Sequence, residues 1–361
     1  MNRKPLVSFI VLSYNYERYI EKTIKSILEQ TVQDFEIVVV DDCSKDHSVN
    51  VISGFDDPRI RILRNEINMG GAASYNRAIS AAQGEWLVNL DADDWIAPNK
   101  LERQLNSALA NPRLEIIGTY VSVCDRDGLP HAQATSLEAI INQPHDFDLL
   151  DTWIGTNHLC RSSTMVRHAA HLRIGLDDEN MVRAPDYELW TRALRDGCRF
   201  AVIPEVLTFI RLHSDGVTHA DPLGTLLEMT YAMIKNLIPL AEKKALHPSI
   251  ARIVTWVSQH HALSRLKPIE RYRLLGLLMQ SNSIANFTSF RAAIKNSTDR
   301  PELATLGRRC LALLSTGAGP YEELGKLTKD IEAFIDARDY WRAQSEAWER
   351  ACYAEKNYRQ S

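Results

Sequence analysis

Short apolar runs and longer amphipathic stretches alternate along the first 110 residues of the chain. Apolar runs of strand length occupy residues 6–12, 35–40, 60–63 and 85–90. The stretches 19–30 and 72–82 between them carry apolar residues at helical spacing. Strands that alternate with helices are typical of βα units around a mostly parallel sheet. The predicted fold class is therefore α/β, with a mostly parallel sheet flanked by helices.

The pattern changes after residue 220. The stretches 223–240 and 271–279 read as amphipathic helices, and no strand pattern follows them. A chain of 361 residues is also long for a single hydrophobic core. We therefore predict two domains, an α/β domain over 1–220 and an all-helical domain over 221–361.

The end of the chain carries a stripe of large apolar residues. Leu327, Phe334, Trp341 and Trp348 recur every seven residues, with many charges between them. This period predicts a helical hairpin or a short coiled coil. Leaving each aromatic ring in water would cost about 1.5–3 kcal/mol. We therefore predict a docking tail, buried against the helical domain, a second copy of the chain or a partner.

Polar residues gather where three of the predicted strands end. The runs 13–15, 41–42 and 91–94 each follow or end an apolar strand. In open α/β sheets, ligands bind at the carboxyl ends of the strands. Side chains from distant parts of the sequence should therefore converge on one cleft.

The run from Asp91 to Asp94 contains three carboxylates. Asp91 and Asp93 are two residues apart at a strand end and can face the same way. Such hard oxygen donors suit Mg²⁺ or Mn²⁺, which keep coordination positions open for a bound diphosphate. Mutual repulsion should raise the pKa of at least one of these carboxyl groups, and a divalent cation would remove that cost. A solvated acidic turn is the alternative interpretation.

The composition of the chain limits the functions it can have. The chain is 45% hydrophobic and 24% charged, and its net charge of −4 gives no support to nucleic-acid binding. Its cysteines lack C-x-x-C spacing, which predicts reduced thiols and a cytoplasmic location. No run of about 18 apolar residues occurs, so any membrane contact is predicted to be peripheral.

Four segments together resemble a known family. They are Val7–Asn15, Val38–Ser44, Asn68–Gly71 and Asp91–Asp94. Their order and spacing are similar to those of the family 2 glycosyltransferases, which have the Rossmann-like GT-A fold. The resemblance covers about the first 110 residues and continues more weakly to His213. It implies an inverting transferase that moves a sugar from a nucleotide diphosphate to an acceptor hydroxyl, with Mn²⁺ or Mg²⁺ on the diphosphate.

The resemblance also implies substrates and a setting. The donor would be a nucleotide-diphosphate sugar, and the acceptor a saccharide or a lipid-linked saccharide. The expected process is the assembly of a bacterial-type surface polysaccharide or glycoconjugate. Membrane contact, if the acceptor requires it, would occur at the inner face.

The first two strand ends correspond to the family's nucleotide-binding positions. By resemblance, Asp41 would accept a hydrogen bond from the base, because a carboxylate is a pure acceptor. Ser13 and Tyr14 would contact the donor, with the Tyr14 ring packed against the base. Alternatively, the carboxylates near Asp41 cap a helix, and Tyr14 is a residue at the rim of the core.

The resemblance implies separate roles for the three carboxylates of the acidic run. Asp91 and Asp93 would hold the ribose and the metal, and Asp94 would reach the donor sugar or a metal-bound water. Downstream, Arg211 and His213 resemble an Arg-x-His element that closes over the diphosphate. Arg211 would neutralise phosphate charge, and His213 would be a third metal ligand or a phosphate donor. Either residue could instead be an ordinary surface group.

Direct displacement requires a base that takes the acceptor's proton. Asp186 matches the family's base-bearing motif, although Pro185 stands where an acidic residue often precedes the base. Its position near a helix N-terminus favours the ionised carboxylate. The alternative role is a helix N-cap. Asp177, Asp178 and Glu179 stay as further candidates for the base.

One more donor contact is predicted on the helix over 72–82. The family often has an Arg-Asn pair there, whereas this chain reads Tyr75-Asn76-Arg77. Only Asn76 is therefore assigned to the donor.

Two other classes of protein stay open as alternatives to the glycosyltransferase. A nucleotidyltransferase would also use carboxylates and metal, and a catalytically silent carbohydrate-binding scaffold would keep the fold without a base.

Overall fold

The computed structural model describes residues 3–212, 221–280, 284–296, 300 and 302–316. His213 and the stripe from Leu327 to Trp348 lie outside the described residues. The metal or phosphate role of His213 and the docking tail therefore stay predictions.

Eight strands and thirteen α-helices are present in the described part of the chain. The strands are β1 (Val7–Ser13), β2 (Phe35–Asp41), β3 (Ile60–Arg64), β4 (Trp86–Asp91), β5 (Trp95–Ile96), β6 (Ile116–Cys124), β7 (Met165–Arg167) and β8 (Phe200–Arg211). The helices of the first 212 residues are α1 (Ile20–Leu28), α2 (Ser48–Ser53), α3 (Gly71–Ala81), α4 (Lys100–Ala110), α5 (Ala134–Ile141), α6 (His168–Ile174) and α7 (Pro185–Arg195). Those that follow are α8 (Pro222–Ala232), α9 (Ile238–Lys243), α10 (His247–Gln259), α11 (Pro268–Leu278), α12 (Phe287–Lys295) and α13 (Glu302–Thr316).

All eight strands form one sheet in the order β3-β2-β1-β4-β7-β6-β8-β5. The pairs β1–β2, β1–β4, β2–β3 and β6–β8 are parallel, which confirms the predicted α/β class. The short strands β7 and β5 pair antiparallel with their neighbours. Neither they nor the longer strands β6 and β8 had a counterpart in the sequence prediction.

Helices cover both faces of the sheet. Phe9 and Val11 of β1 face the buried side of α1, whereas Ile10 between them packs against α3. Successive side chains of a strand point to opposite faces, so an apolar run buried on both faces is expected where helices flank a parallel sheet.

The register of the sheet brings three strand ends to one level. Ser13 pairs with Asp41 across β1 and β2, and Leu12 pairs with Asp91 across β1 and β4. The predicted convergence of the polar strand ends is therefore confirmed.

The helical region after residue 220 shares its core with the α/β region. The largest hydrophobic cluster contains Trp153, Tyr187 and Trp190 together with Leu226 and Ile234. All five side chains are buried. The division at residue 220 stays a prediction, but the two regions pack on each other through one continuous core. Within the described residues, no helix is both long and apolar enough to cross a bilayer.

The turn before β4 requires glycine at position 84. A Cβ on Gly84 would lie 2.5 Å from the Ser8 nitrogen and 2.6 Å from the Val7 carbonyl carbon. Both atoms belong to the backbone of β1 and cannot move aside. Gly84→Ala should therefore lower the free energy of unfolding by about 1–3 kcal/mol, measured by urea denaturation. Gly71→Ala is the control, because a Cβ there meets nothing within 4 Å. Equal midpoints for both variants would contradict this prediction.

Candidate active site at the carboxyl ends of the strands

The acidic run forms a compact turn between β4 and β5. The Asp94 N–H donates to the Asp91 carbonyl at 3.0 Å. Asp93 is 9% exposed and Asp94 is 3% exposed, while Asp91 is half-buried. The alternative interpretation as a solvated acidic turn is therefore wrong, because carboxylates are rarely buried without a partner or a function.

Two of the three carboxylates have clear partners. Asp91 accepts a hydrogen bond from the Tyr75 hydroxyl at 2.7 Å, and its N–H donates to Ser162 Oγ at 3.1 Å. Asp94 Oδ1 accepts the Arg211 N–H at 2.8 Å and so holds the end of β8 against the turn. The contact of Asp94 with the donor sugar stays a prediction.

The predicted repulsion within the run is confirmed, but a second effect is larger. Burial raises the pKa of both Asp91 and Asp94, and the negative charge of Asp93 raises each further. A divalent cation would relieve both effects by supplying a counter-charge.

The carboxylates of the acidic run suit a metal ion that binds together with a diphosphate. Among the described residues, no group of three or more His, Cys, Asp or Glu side chains forms a preformed metal site. Mg²⁺ commonly takes one or two carboxylates and completes its shell with water and phosphate oxygens. Asp93 and Asp91 fit this arrangement, in which a diphosphate supplies the remaining oxygens.

The ends of β1 and β2 contain unsatisfied polar atoms. Asp41 is fully buried, and its Oδ2 accepts the Ser44 N–H at 3.1 Å. Asp41 Oδ1 and Ser13 Oγ are both buried without a hydrogen-bond partner in the described structure. Leaving such atoms unpaired is costly, so they indicate a missing ligand or water. Tyr14 beside them is 43% exposed, and its packing against the base stays a prediction.

Asp42 has a structural role next to this edge. Its Oδ1 accepts the Met69 N–H at 2.7 Å, and its Oδ2 accepts the Gly70 N–H at 2.8 Å. Gly70 precedes α3 with a φ of 87°, a conformation that favours glycine. The capping role that the sequence allowed near Asp41 therefore belongs to Asp42, and it acts on α3.

Asn76 is engaged with a loop of the protein. Its amide Nδ2 donates to the Asp177 carbonyl at 3.0 Å and to Glu179 Oε1 at 3.1 Å. Its Oδ1 accepts the Asp177 N–H at 2.9 Å. In the structure this side chain supports the loop before α7, and its predicted donor contact stays untested.

Arg211 is buried beneath the acidic turn. Its Nε donates to the Asp93 carbonyl at 2.9 Å, and its Nη1 donates to the Arg126 carbonyl at 2.7 Å. The guanidinium also lies 4.5 Å from the Tyr19 ring centre and 4.9 Å from that of Trp95. An arginine that is 8% exposed is not an ordinary surface group, so that alternative is wrong. Its phosphate contact stays a prediction.

Asp186 is the second residue of α7, and Ala184 occupies the N-cap position. The helix-cap interpretation of Asp186 is therefore wrong. Its Oδ2 accepts a hydrogen bond from Asn157 Nδ2 at 2.8 Å, and its Oδ1 accepts the Tyr187 N–H at 2.8 Å. The negative charge of Asp186 raises the pKa of Asp91. The segment 157–162 links the candidate base to the acidic turn, because Asn157 donates to Asp186 and Ser162 Oγ accepts the Asp91 N–H.

Burial decides the ionisation of Asp186. The helix N-terminus was expected to favour the carboxylate, but burial raises the pKa of Asp186 above its usual range. The nearby Arg161 charge and the hydrogen bonds from Tyr187 and Asn157 oppose this shift. A base with a raised pKa is better matched to proton transfer near neutral pH than an exposed aspartate.

The other candidates for the base already have partners. Asp177 forms a buried ion pair with Arg161 at 2.7 Å. Asp178 Oδ1 accepts the Asn180 N–H at 3.0 Å, and Glu179 Oε1 accepts a hydrogen bond from Asn76. Asp186 also accepts two hydrogen bonds, so its role as the base stays a prediction.

The turn Arg161–Ser163 was missed by the sequence analysis. The Arg161 guanidinium lies 4.3 Å from the Tyr75 ring centre, and its charge lowers the pKa of both Asp91 and Asp186. It thus supplies positive charge between the two acidic groups. No local pattern marked this turn, because its partners Asp177 and Tyr75 come from other segments of the chain.

A buried lysine supports the same turn. Lys100 is fully buried, and its Nζ donates to the Ser162 carbonyl at 3.1 Å. Burial lowers the pKa of Lys100 to about 7, while the negative charge of Asp94 opposes that shift. Its sequence context, at the start of a helix with alternating charge, gave no sign of this burial.

The mostly parallel sheet and the carboxylates at its strand edge agree with the GT-A fold that the sequence resemblance implied. The chain belongs to glycosyl transferase family 2, whose family model matches residues 8–174. Bacillus subtilis TuaG, provisionally named a teichuronic acid biosynthesis glycosyltransferase, is 30% identical over 219 residues, which are 60% of this chain and 83% of TuaG. The predicted family is confirmed.

Two further proteins extend the comparison. Escherichia coli WfgD, a UDP-Glc:alpha-D-GlcNAc-diphosphoundecaprenol beta-1,3-glucosyltransferase, is 42% identical over 116 residues, 32% of this chain and 46% of WfgD. The structure of S. aureus TarS 1–349 in complex with UDP superimposes with a TM-score of 0.52 at 16% identity, over 81% of this chain and 90% of that one. This structural likeness shows the shared fold.

Proposed function

We propose that the protein is an inverting hexosyltransferase that uses a nucleotide-diphosphate sugar of the UDP class. The acceptor is the hydroxyl of a saccharide or a lipid-linked saccharide in surface polysaccharide or glycoconjugate assembly. The observation that carries this proposal is that the segment 157–162 contacts both groups, because Asn157 donates to Asp186 and Ser162 Oγ accepts the Asp91 N–H, and inversion needs a base near the bound diphosphate.

In the proposed reaction, Asp186 takes the proton of the acceptor hydroxyl. The oxygen forms a bond to the anomeric carbon while the bond from that carbon to the diphosphate oxygen breaks. The diphosphate leaves with the electron pair, and the configuration at the anomeric carbon inverts. Asn157 and the Tyr187 N–H hold the carboxylate of Asp186 in place for this step.

The donor half of the proposed site lies at the ends of β1, β2 and β4. Asp41 Oδ1 and Ser13 Oγ would meet the base and its sugar, and the exposed Tyr14 ring would pack against the base. Asp93 and Asp91 would hold Mn²⁺ or Mg²⁺, whose positive charge stabilises the leaving diphosphate. Asp91 would also contact the ribose.

The names of two relatives support the substrate class. WfgD is named for a UDP-glucose donor and a diphosphoundecaprenol-linked acceptor, and TuaG for teichuronic acid biosynthesis. A lipid-linked acceptor would bring this protein to the membrane surface. We propose a cytoplasmic protein with peripheral contact at the inner face.

A panel of UDP-, GDP- and dTDP-sugars with Mn²⁺ tests the proposal. We expect a UDP-sugar to raise the melting temperature most, and the wild type to release UDP from it slowly when water replaces the acceptor. Asp41→Asn should weaken the preference for UDP, because it adds an N–H donor beside the base. Binding without release would instead indicate a silent scaffold, and formation of UTP and sugar 1-phosphate when pyrophosphate is added would indicate a nucleotidyltransferase.

A further inference from the structure

A carboxylate from the helical region reaches the start of α7. Glu228 lies on α8 and is 3% exposed. Its Oε1 accepts the Val182 N–H at 2.9 Å. Its Oε2 accepts the N–H groups of Arg183 and Ala184, both at 2.7 Å. One buried side chain therefore binds three consecutive backbone N–H groups immediately before the helix.

The N-cap residue of α7 supplies no such acceptor. Ala184 occupies the N-cap position and has only a methyl group, and no side chain of the N-cap residue accepts a hydrogen bond. N–H groups near a helix start lack partners within the helix and carry partial positive charge, so an anion stabilises them. Hydrogen bonds from N–H groups to a carboxylate are stronger than those to a neutral acceptor.

The held segment leads directly into the candidate base. Asp186 follows Ala184 by two residues, and Pro185 between them has a fixed φ. The place of the Asp186 carboxylate is thus set by the backbone that Glu228 binds. We propose that Glu228 is a positioning residue for the transfer step, supplied by the helical region that follows residue 220. This inference rests on the proposed role of Asp186 as the base.

A second contact of the helical region with α7 offers a matched control. Asn236 is fully buried, and its Nδ2 donates to Glu188 Oε1 at 3.2 Å and to Thr191 Oγ1 at 3.0 Å. It contacts the same helix at its middle and does not touch the segment before Asp186. Asn236→Leu removes these bonds at similar side-chain volume and so reports the loss of a buried contact between α7 and the helical region that does not involve the segment before Asp186.

The test compares Glu228→Gln with the wild type and with Asn236→Leu. UDP affinity in the presence of Mn²⁺ is measured by calorimetry, and kcat by UDP release from the UDP-sugar that the panel selects. Glu228→Gln should lower kcat about 10- to 100-fold, because small misplacements of reacting groups cost that much. Its UDP affinity should stay within about two-fold of the wild type, as the donor half is untouched. Asn236→Leu should keep kcat within about two-fold even if it melts earlier.

Combining Glu228→Gln with Asp186→Asn shows whether the effect passes through the base. In the Asp186→Asn background, Glu228→Gln should change the residual rate less than about two-fold. An equal fall in both backgrounds would overturn the inference, and so would an unchanged kcat in Glu228→Gln alone. If instead Asp186→Asn itself keeps the full rate, the proposed base is wrong, whatever Glu228 does.

A variant with a shorter carboxylate is measured in case Glu228→Gln misfolds. If Glu228→Gln fails to bind UDP, Glu228→Asp is measured in the same way, because it keeps the charge beside the three N–H groups. We expect UDP binding with a smaller fall in kcat. Normal kcat in Glu228→Asp together with normal kcat in Asn236→Leu would overturn the positioning role.

Discussion

Asp186→Asn should bind UDP and Mn²⁺ as the wild type does and turn over at least about 10²-fold more slowly, the range expected when a general base is lost. The substitution keeps the size of the side chain but removes its capacity to take a proton. Calorimetry with UDP and the rate of UDP release measure the two effects separately. Asp196→Asn is the control, since Asp196 lies at the other end of α7. An unchanged rate would move the role to Asp177, Asp178 or Glu179.

The same residue predicts a pH dependence. Burial raises the pKa of Asp186, and the base acts only when it is ionised. The rate should therefore fall as the pH is lowered through that raised pKa, above the value of about 3.9 for an exposed aspartate. The residual rate of Asp186→Asn should lack this acidic limb. A wild-type profile that stays flat down to about pH 4 would contradict the assignment.

Asp93→Asn should abolish metal-dependent turnover and leave the fold intact. The charge of Asp93 raises the pKa of both Asp91 and Asp94, so its removal relieves repulsion in a buried cluster. The urea midpoint should therefore not fall, while UDP release should no longer respond to added Mn²⁺. Asp127→Asn, which removes an exposed carboxylate paired with Arg18, is the control and should respond normally. Normal turnover of Asp93→Asn would show that the metal site lies elsewhere.

Much of the donor half of the site was predictable, because it depends on a general property of parallel sheets. Residues that end neighbouring parallel strands must lie at one edge, so Ser13, Asp41 and Asp91 could be grouped from the sequence. The strands β5 and β7 could not be found in this way. They have two and three residues, too few to show a period, and their pairing is set by contacts with distant segments.

The part of the site around Asp186 and Arg161 depends on contacts between distant residues, which no local pattern in the sequence specifies. Arg161 is a buried cation because Asp177 and Tyr75 meet it in the folded chain, and neither is near it in sequence. The ionisation of Asp186 likewise could not be predicted from the local sequence. The local rule for helix N-termini favours the carboxylate, but burial, which only the tertiary structure reveals, reverses the direction of the pKa shift.

The continuous core across residue 220 restricts how this enzyme can be recombined with its relatives. Trp190 on α7 and Ile234 beyond α8 are buried in the same cluster, so a crossover between β8 and α8 would join surfaces that were not selected together. Chimaeras made there should expose mismatched aromatic faces and aggregate. A crossover placed before β6 transfers Asp186, Glu228 and this whole cluster as one inherited block, and exchange of acceptor preference between family members should succeed only in that form.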